Sequence, residues 1–213
     1  MIKAIIFDFW GTLFYENVRG VHPFRKFAKI IRKNIDDYSY LKIFENHIMK
    51  EKYLNLNIAV ENLLKELNVS YNKKLILELT VLLKKKRTIE KPYPETFGVL
   101  KKLKTNYKLG LITNTYYYSF KKIEQGFDIT NYFDIILKSY ETKILKPNPK
   151  IYEMMLNKLK VKKDEVLMVG DSLKDDIQAA EKFGIRGILI DRKGKNPEYP
   201  NRITSLEQLK KFL

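Results

Sequence analysis

Five short apolar runs punctuate the chain: residues 4–8, 109–113, 134–138, 165–169 and 187–190. Each is built from Ile, Leu, Val or Phe and is bounded by polar residues or glycine, the pattern of strands in a parallel sheet covered on both faces. Helical spacing fills the gaps between the last four. In "NPKIYEMMLNKL", Asn148 is placed to cap and Pro149 suits the first helical position, while Tyr152, Met155, Leu156 and Leu159 fall on one stripe. In "DDIQAAEKFG", Gly184 is a helix stop. Strand and helix alternating in this way predict a doubly wound α/β domain with a five-stranded parallel sheet.

The first connection breaks that rhythm. Roughly 100 residues separate the first two strands, several times what one crossover helix needs. The interval carries four amphipathic patterns and no strand. Phe24, Phe27, Ala28 and Ile31 form one stripe; Leu41, Phe44 and Ile48 a second. Val60, Leu63, Leu64 and Leu67 form a third, and Leu75, Ile76, Leu79, Leu82 and Leu83 a fourth. Helices of this size bury a core of their own. The expected organisation is therefore a Rossmann-like core of residues 1–15 and 92–213, with a helical domain of residues 16–91 inserted after strand one and Pro92 and Pro94 marking the return.

Ligands of open α/β sheets bind beyond the carboxyl ends of the strands, where strand order reverses. The polar residues that follow each strand are telling. Strand one ends at Asp8, strand two at Thr113 and Asn114. Lys146 follows strand three in "KILKPNP", and strand four leads into Asp171, Asp175 and Asp176 in "GDSLKDD". Asp8 and Asp171 are hard oxygen ligands suited to Mg²⁺, with a backbone carbonyl of the turn after Asp8 as a further donor. Asp8 is also a candidate carboxylate nucleophile. Thr113 offers a hydrogen bond to a transferred group, and Lys146 the charge to steady it. Gly11 and Thr12 let backbone N–H groups close around an anion.

"DFWGTL", "LITN", "KPNP" and "GDSLKDDIQAA" resemble, in order and spacing, the four motifs of the haloacid dehalogenase superfamily, and the resemblance spans the whole chain. It implies a Rossmann-like core with Asp8 as nucleophile, and Thr113 and Lys146 on the transferred group. It implies Mg²⁺ held by Asp8, the Trp10 carbonyl and Asp171. Asp176, which opens the "DIQAA" helix, aligns with the family's second acid, and Asp175 is the competitor. The helical insert looks like the superfamily's C1-type cap.

One position departs from that pattern. Most phosphatases of the superfamily carry a second aspartate two residues after the nucleophile, which protonates the leaving oxygen and later activates water. Here Trp10 stands there, with no proton to exchange. Loss of such a group costs a factor of about 10² to 10⁴. The first reading is Mg²⁺-dependent hydrolysis of a small phosphorylated substrate, either one whose leaving group needs little protonation or one for which an acid is borrowed from the cap or the substrate. The second is similarity to 2-haloacid dehalogenases, which carry an aromatic residue at this position, use no metal and release halide unprotonated. The third is a catalytically weak fold used for binding. Asp171 favours the first, because a carboxylate beside Asp8 without a cation would blunt the nucleophile. Trp10 and Asn114 are then expected against the substrate, Trp10 as a wall over the leaving group.

Composition narrows the partners. The 213 residues include no cysteine, which excludes disulfides, thiolate metal sites and a cysteine nucleophile. The apolar runs are all far shorter than a membrane span, and the first strand begins without a secretion signal, so the expected location is cytoplasmic. A net charge of +16 attracts anions generally. It comes with no zinc-finger spacing, RNA-binding strand pattern or recognition helix, so a small anionic substrate is expected rather than nucleic acid. No oligomeric state is assigned. Lys84-Lys85-Lys86-Arg87 reads as the solvated end of a helix. His22 and His47 read as helix-end or surface residues, and Tyr116-Tyr117-Tyr118 as packing more than pocket. Arg19 and Arg25, at the mouth of the insert, stand equally as substrate anchors or as solvated charges.

Overall fold

Ala4–Phe7 forms the first strand (β1), and all four of its residues are inaccessible to solvent. Such a strand needs neighbours on both edges and layers on both faces, and it has them. It pairs in parallel with β2 (Lys108–Thr113) on one side and β4 (Val166–Gly170) on the other, Phe7 lying opposite both Leu111 and Val169. β3 (Ile135–Lys138), β5 (Arg186–Ile190) and β6 (Arg202–Ile203) extend the sheet to the order β3-β2-β1-β4-β5-β6. The structure, a computed structural model, describes residues 1–15, 27, 29–31, 35–84 and 91–213. The sheet has six strands, not the expected five. β6 is only two residues long and contains an arginine, so it leaves no apolar run to read.

Alternation along each strand sorts side chains between two cores. Ile5, Phe7, Leu109, Leu111, Leu167 and Val169 face one layer, made by Leu100 and Leu103 of α4 (Thr96–Leu103), Phe120 and Ile123 of α5 (Tyr117–Gly126) and the C-terminal 3₁₀ segment. Ala4, Ile6, Val166 and Met168 face the other, made by Ile151, Tyr152, Met155 and Leu159 of α7 (Pro149–Leu159) and Ala180 of α8 (Ala179–Phe183). Between β3 and α7 lies the short α6 (Ser139–Thr142). Each fully buried Phe or Ile contributes about 1.5–3 kcal/mol. Asn148 caps α7 through the Lys150 N–H at 3.0 Å, and Gly184 ends α8 in a left-handed conformation, both as the spacing predicts. α4 was not anticipated; Thr96 ties it to the carbonyl of Leu13, at 2.8 Å, just after β1.

Between β1 and α4 the described chain forms α1 (Asp37–Phe44), which continues into a π-helical turn (Glu45–Met49), then α2 (Leu56–Glu66) and α3 (Lys73–Lys84). These follow three of the four predicted stripes and share a third apolar cluster, centred on Phe44, Ile48, Val60, Leu63, Leu64 and Leu79. Phe27 and Ile31 of the first stripe join it, whereas Phe24 and Ala28 lie outside the described residues, as do Arg19, His22, Arg25 and Lys85-Lys86-Arg87. The two strands of chain that lead out to these helices and back run side by side: Tyr93 N–H donates to Leu13 O at 3.0 Å and Tyr15 N–H to Lys91 O at 2.9 Å. The helices are thereby held over the carboxyl rim of the sheet. Tyr116 from the end of β2 inserts into their core and donates to Leu83 O at 3.2 Å. Ser139 Oγ lies 2.7 Å from Met49 O. Among the described residues no helix is long and apolar enough to cross a membrane.

Candidate active site

The strand order reverses between β1 and β4, and the residues just past these two strands are Asp8 and Asp171. Asp8 is buried and fixed by its own N–H, which donates to Val169 O at 2.8 Å. Lys146, arriving from the loop before α7, places its ammonium against Asp8 Oδ1 and against Asp176 Oδ1, the latter at 2.7 Å. Asp176 is oriented at its other oxygen by the Ser172 N–H at 3.0 Å. Asp8, Asp171 and Asp176 each bring a carboxylate oxygen within 4.8 Å of the other two.

Two glycines make room for this cluster. At Gly11, φ is +80° and a Cβ would fall 2.2 Å from Asp171 Oδ2. At Gly170 a Cβ would fall 2.4 Å from Asp176 Oδ2. Backbone therefore approaches both carboxylates to a distance that any other residue would block.

Among the described residues three carboxylates face one ammonium; Asp8 and Asp176 are buried with Lys146, and Asp171 is exposed at the edge of the cleft. Burial, with Asp176 adding to it, pushes the Asp8 carboxyl up to about 7 even though Lys146 pulls the other way. Lys146 stays charged despite its burial, because Asp176 and Asp8 together raise its proton affinity. A further cation among hard oxygen donors would return Asp8 to its ionised form, and the donor set suits Mg²⁺.

A cleft of about 230 Å³ opens over the cluster, lined by Asp8, Lys146, Asp171 and Asp176 from the rim and by Leu41, Glu45 and Met49 from the helices above. Trp10 lines it too. Its ring packs edge-on against Phe9, with centroids 4.8 Å apart, and its Nε1–H reaches Thr115 Oγ1 at 3.4 Å. Thr113, at the end of β2, is buried, and its hydroxyl has no hydrogen-bond partner among the described residues; the cleft lining runs through its neighbours Asn114 and Thr115 instead.

A model of the haloacid dehalogenase-like hydrolases matches residues 2–184. The chain belongs to that family. Glyceraldehyde 3-phosphate phosphatase of Methanocaldococcus jannaschii is 31% identical over 98% of this chain and 96% of that one. Among solved structures, a 2-haloacid dehalogenase of Pseudomonas syringae pv. Tomato DC3000 aligns with a TM-score of 0.64 at 21% identity, covering 99% of this chain and 97% of that one. A HAD phosphatase of Thermococcus onnurineus aligns at 0.62 and 24% identity, with the same coverage. The haloacid dehalogenase-like fold is thus shared with enzymes of both chemistries.

Against that family background the other residues singled out in sequence find these places. Asp175 turns away from Lys146: its carboxylate takes Lys42 Nζ at 2.8 Å and the Tyr38 hydroxyl at 3.2 Å, both from α1. Asn114 clamps the Lys146 backbone, accepting from its N–H at 2.9 Å and donating to its carbonyl at 3.1 Å. The same Asn114 amide also donates to Glu45 Oε1 at 3.1 Å. Tyr116 lines the cleft as well as packing into the helices, and Tyr117 stacks edge-on against Tyr140. His47 is half-buried on the same turn as Glu45.

Glu45 is the residue that sequence reasoning missed. It is buried, lines the cleft, and pairs at its second oxygen with Lys42 at 2.8 Å. A signal was there to find. Glu45 stands four residues after Leu41 and three before Ile48, on the apolar stripe itself, where a carboxylate has no place unless something polar faces it.

Proposed function

We propose that the chain is a metal-dependent phosphatase of small phosphomonoesters, with Asp8 as the nucleophile. The observation that carries this reading is the single ammonium of Lys146 serving both Asp8 and Asp176, with Asp171 completing a three-carboxylate group. Asp171 has a use in a cation-assisted reaction and would only hinder Asp8 in a metal-free one.

In this reading Asp8, Asp171 and the carbonyl of Trp10 would hold Mg²⁺, which would supply positive charge to offset an incoming phosphate. Asp8 Oδ attacks phosphorus and displaces the alcohol, leaving an aspartyl phosphate that water then hydrolyses. Lys146, held in line by Asn114, balances charge on Asp8 and on the phosphoryl oxygens as the transition state forms. Thr113, behind the cleft lining and with its hydroxyl unpartnered among the described residues, is the candidate donor to the transferred group. Asp176 orients Lys146. Trp10 walls the leaving-group side with an apolar ring. The helices of residues 16–91 act as a cap over a core of 1–15 and 92–213, and their face of the cleft selects the substrate.

The archaeal relative makes glyceraldehyde 3-phosphate the first ester to try. Trp10 favours a second reading, displacement of halide from a 2-haloacid, since a departing halide needs no proton. Phosphate release from glyceraldehyde 3-phosphate and from p-nitrophenyl phosphate, with Mg²⁺ and with chelator, is compared with chloride release from L-2-chloropropionate. Phosphate release that stops on chelation is expected; chloride release that ignores the chelator reverses the order of the two readings.

A further inference from the structure

A phosphatase that lacks an acid at position 10 still has to protonate an alkoxide. Among the described residues, four carboxylates of the rim line the cleft, and each is engaged. Asp8 and Asp176 share Lys146, and Asp171 belongs to the same cluster. Asp175 is bound by Lys42 and Tyr38. The fifth carboxylate enters from the other side of the cleft, on the π-helical turn of the insert, and shares the space with Asp8 and Trp10. We propose that Glu45 is the acid–base group that Trp10 does not supply, donating the proton to the leaving oxygen and then taking one from the attacking water. This rests on the phosphatase reading above.

The step balances without any further reactant. As the Asp8 Oδ–P bond forms, the P–O bond to the alcohol breaks, and the leaving oxygen takes the Glu45 proton to depart as neutral alcohol. Water then attacks the aspartyl phosphate and gives its proton to Glu45. Phosphate leaves, and both carboxyl groups return to their starting states.

The surroundings of Glu45 suit a group that must hold a proton and release it. Burial raises its proton affinity above that of an ordinary glutamate, and Asp175 adds to this, while Lys42 and the Asn114 amide oppose it. Among the described residues, the charged and polar groups that face it are Lys42 from α1, Asn114 from the end of β2 and Asp175 from beyond β4. Lys42 does not force Glu45 to stay ionised, because it bonds Asp175 at the same 2.8 Å and so keeps an anionic partner when Glu45 is protonated. An incoming phosphate dianion raises the affinity further. Asn114 holds Oε1, which fixes the direction of the carboxyl plane relative to the Lys146 loop.

The test is leaving-group dependence. Glyceraldehyde 3-phosphate leaves as an alkoxide and needs the proton; p-nitrophenyl phosphate leaves as a stabilised phenolate and does not. The kcat/KM values report the steps from free enzyme and substrate through phosphoryl transfer, so slow hydrolysis of the aspartyl phosphate does not blur them. Glu45→Gln is expected to lose about 10²- to 10³-fold on glyceraldehyde 3-phosphate and less than about tenfold on p-nitrophenyl phosphate. The wild-type rate on the alkyl ester is expected to fall as pH rises and Glu45 gives up its proton, a limb absent from Glu45→Gln. Equal losses on the two esters, no loss on the alkyl ester, or an alkaline limb that survives in Glu45→Gln overturns the proposal. Should Glu45→Gln melt early, Glu45→Asp carries the comparison: it keeps a dissociable proton, so an alkyl-ester profile without an alkaline limb overturns the assignment. Wild type that releases phosphate from neither ester overturns the phosphatase reading, and the role of Glu45 with it.

Discussion

The two walls of the cleft are built by different rules. The rim is made of strand ends. Asp8, Thr113 and Asp171 each sit one step beyond or at the last residue of a buried strand, and the ladder that registers Phe7 against Leu111 and Val169 sets where they fall. The opposite wall is a helical turn brought in from an insert, and among the described residues Glu45 reaches the rim through side chains: Asn114 at 3.1 Å, and Lys42, which crosses to Asp175. Main-chain ladders give the rim a geometry that hardly depends on which side chains are present. Among the described residues the upper wall meets the rim without such a ladder; the paired linkers tether it, and hydrogen bonds such as Ser139 to Met49 and the packing of Tyr116 set its position. Chemistry that tolerates no displacement is expected at the rim, and chemistry that must follow the substrate is expected on the insert.

The largest effect should come from the rim. Lys146→Met removes the cation between two buried carboxylates and leaves both uncompensated, which costs about 3–5 kcal/mol. Unfolding by denaturant in the presence of chelator measures it. Phosphatase kcat should fall by about 10² to 10³ in the folded fraction, from lost stabilisation of charge in the transition state. A variant that unfolds at the wild-type midpoint would mean that Asp8 and Asp176 do not depend on Lys146, and the distinction between a fixed rim and an adjustable upper wall would lose its main support.

A smaller effect sharpens the comparison by moving the acid from one wall to the other. Trp10→Asp puts a carboxyl on the rim. In a Glu45→Gln background it should recover alkyl-ester turnover by about tenfold or more, a fraction of the 10² to 10⁴ that such a group supplies when fully placed. The same substitution in wild type should gain less, since Glu45 already serves. Equal gains in the two backgrounds would show that the residues act independently, contrary to two groups competing for one task.

The unequal legibility of the two walls has the same origin. Strand runs and the polar residues that end them lie within a few positions of one another in sequence, so Asp8, Lys146, Asp171 and Asp176 could be read as one rim before any coordinates. Of Asp175 and Asp176, it is Asp176 that faces Lys146, and the feature that orients it is local, the Ser172 N–H. Asn114 lines the cleft, as a substrate contact would, but its hydrogen bonds to the Lys146 backbone join positions whose approach depends on the loop before α7. Glu45 meets Asn114 across 69 positions of chain, through a helix packing angle that no periodicity encodes. β6 and α4 escaped for a simpler reason, being too short or too weakly patterned to stand out. The stripes of α1, α2 and α3 were legible because 3.6-residue spacing records which face is buried, though not what that face meets.

The smallest expected effect lies at the junction of the two walls. Lys42 is partly exposed, and bridges such as its contact with Asp175 contribute about 0–1 kcal/mol. Lys42→Met should therefore shift the melting temperature little. Its signature should be in the pH profile instead. Lys42 lowers the proton affinity of Glu45, so its removal raises that affinity. Asp175, no longer balanced, pushes in the same direction. The alkaline limb of alkyl-ester turnover, which follows loss of the Glu45 proton, should then move to higher pH, while the p-nitrophenyl phosphate profile stays where it was. Movement of the limb to lower pH would place the titrating group elsewhere, because removal of a neighbouring cation makes an acid weaker and never stronger.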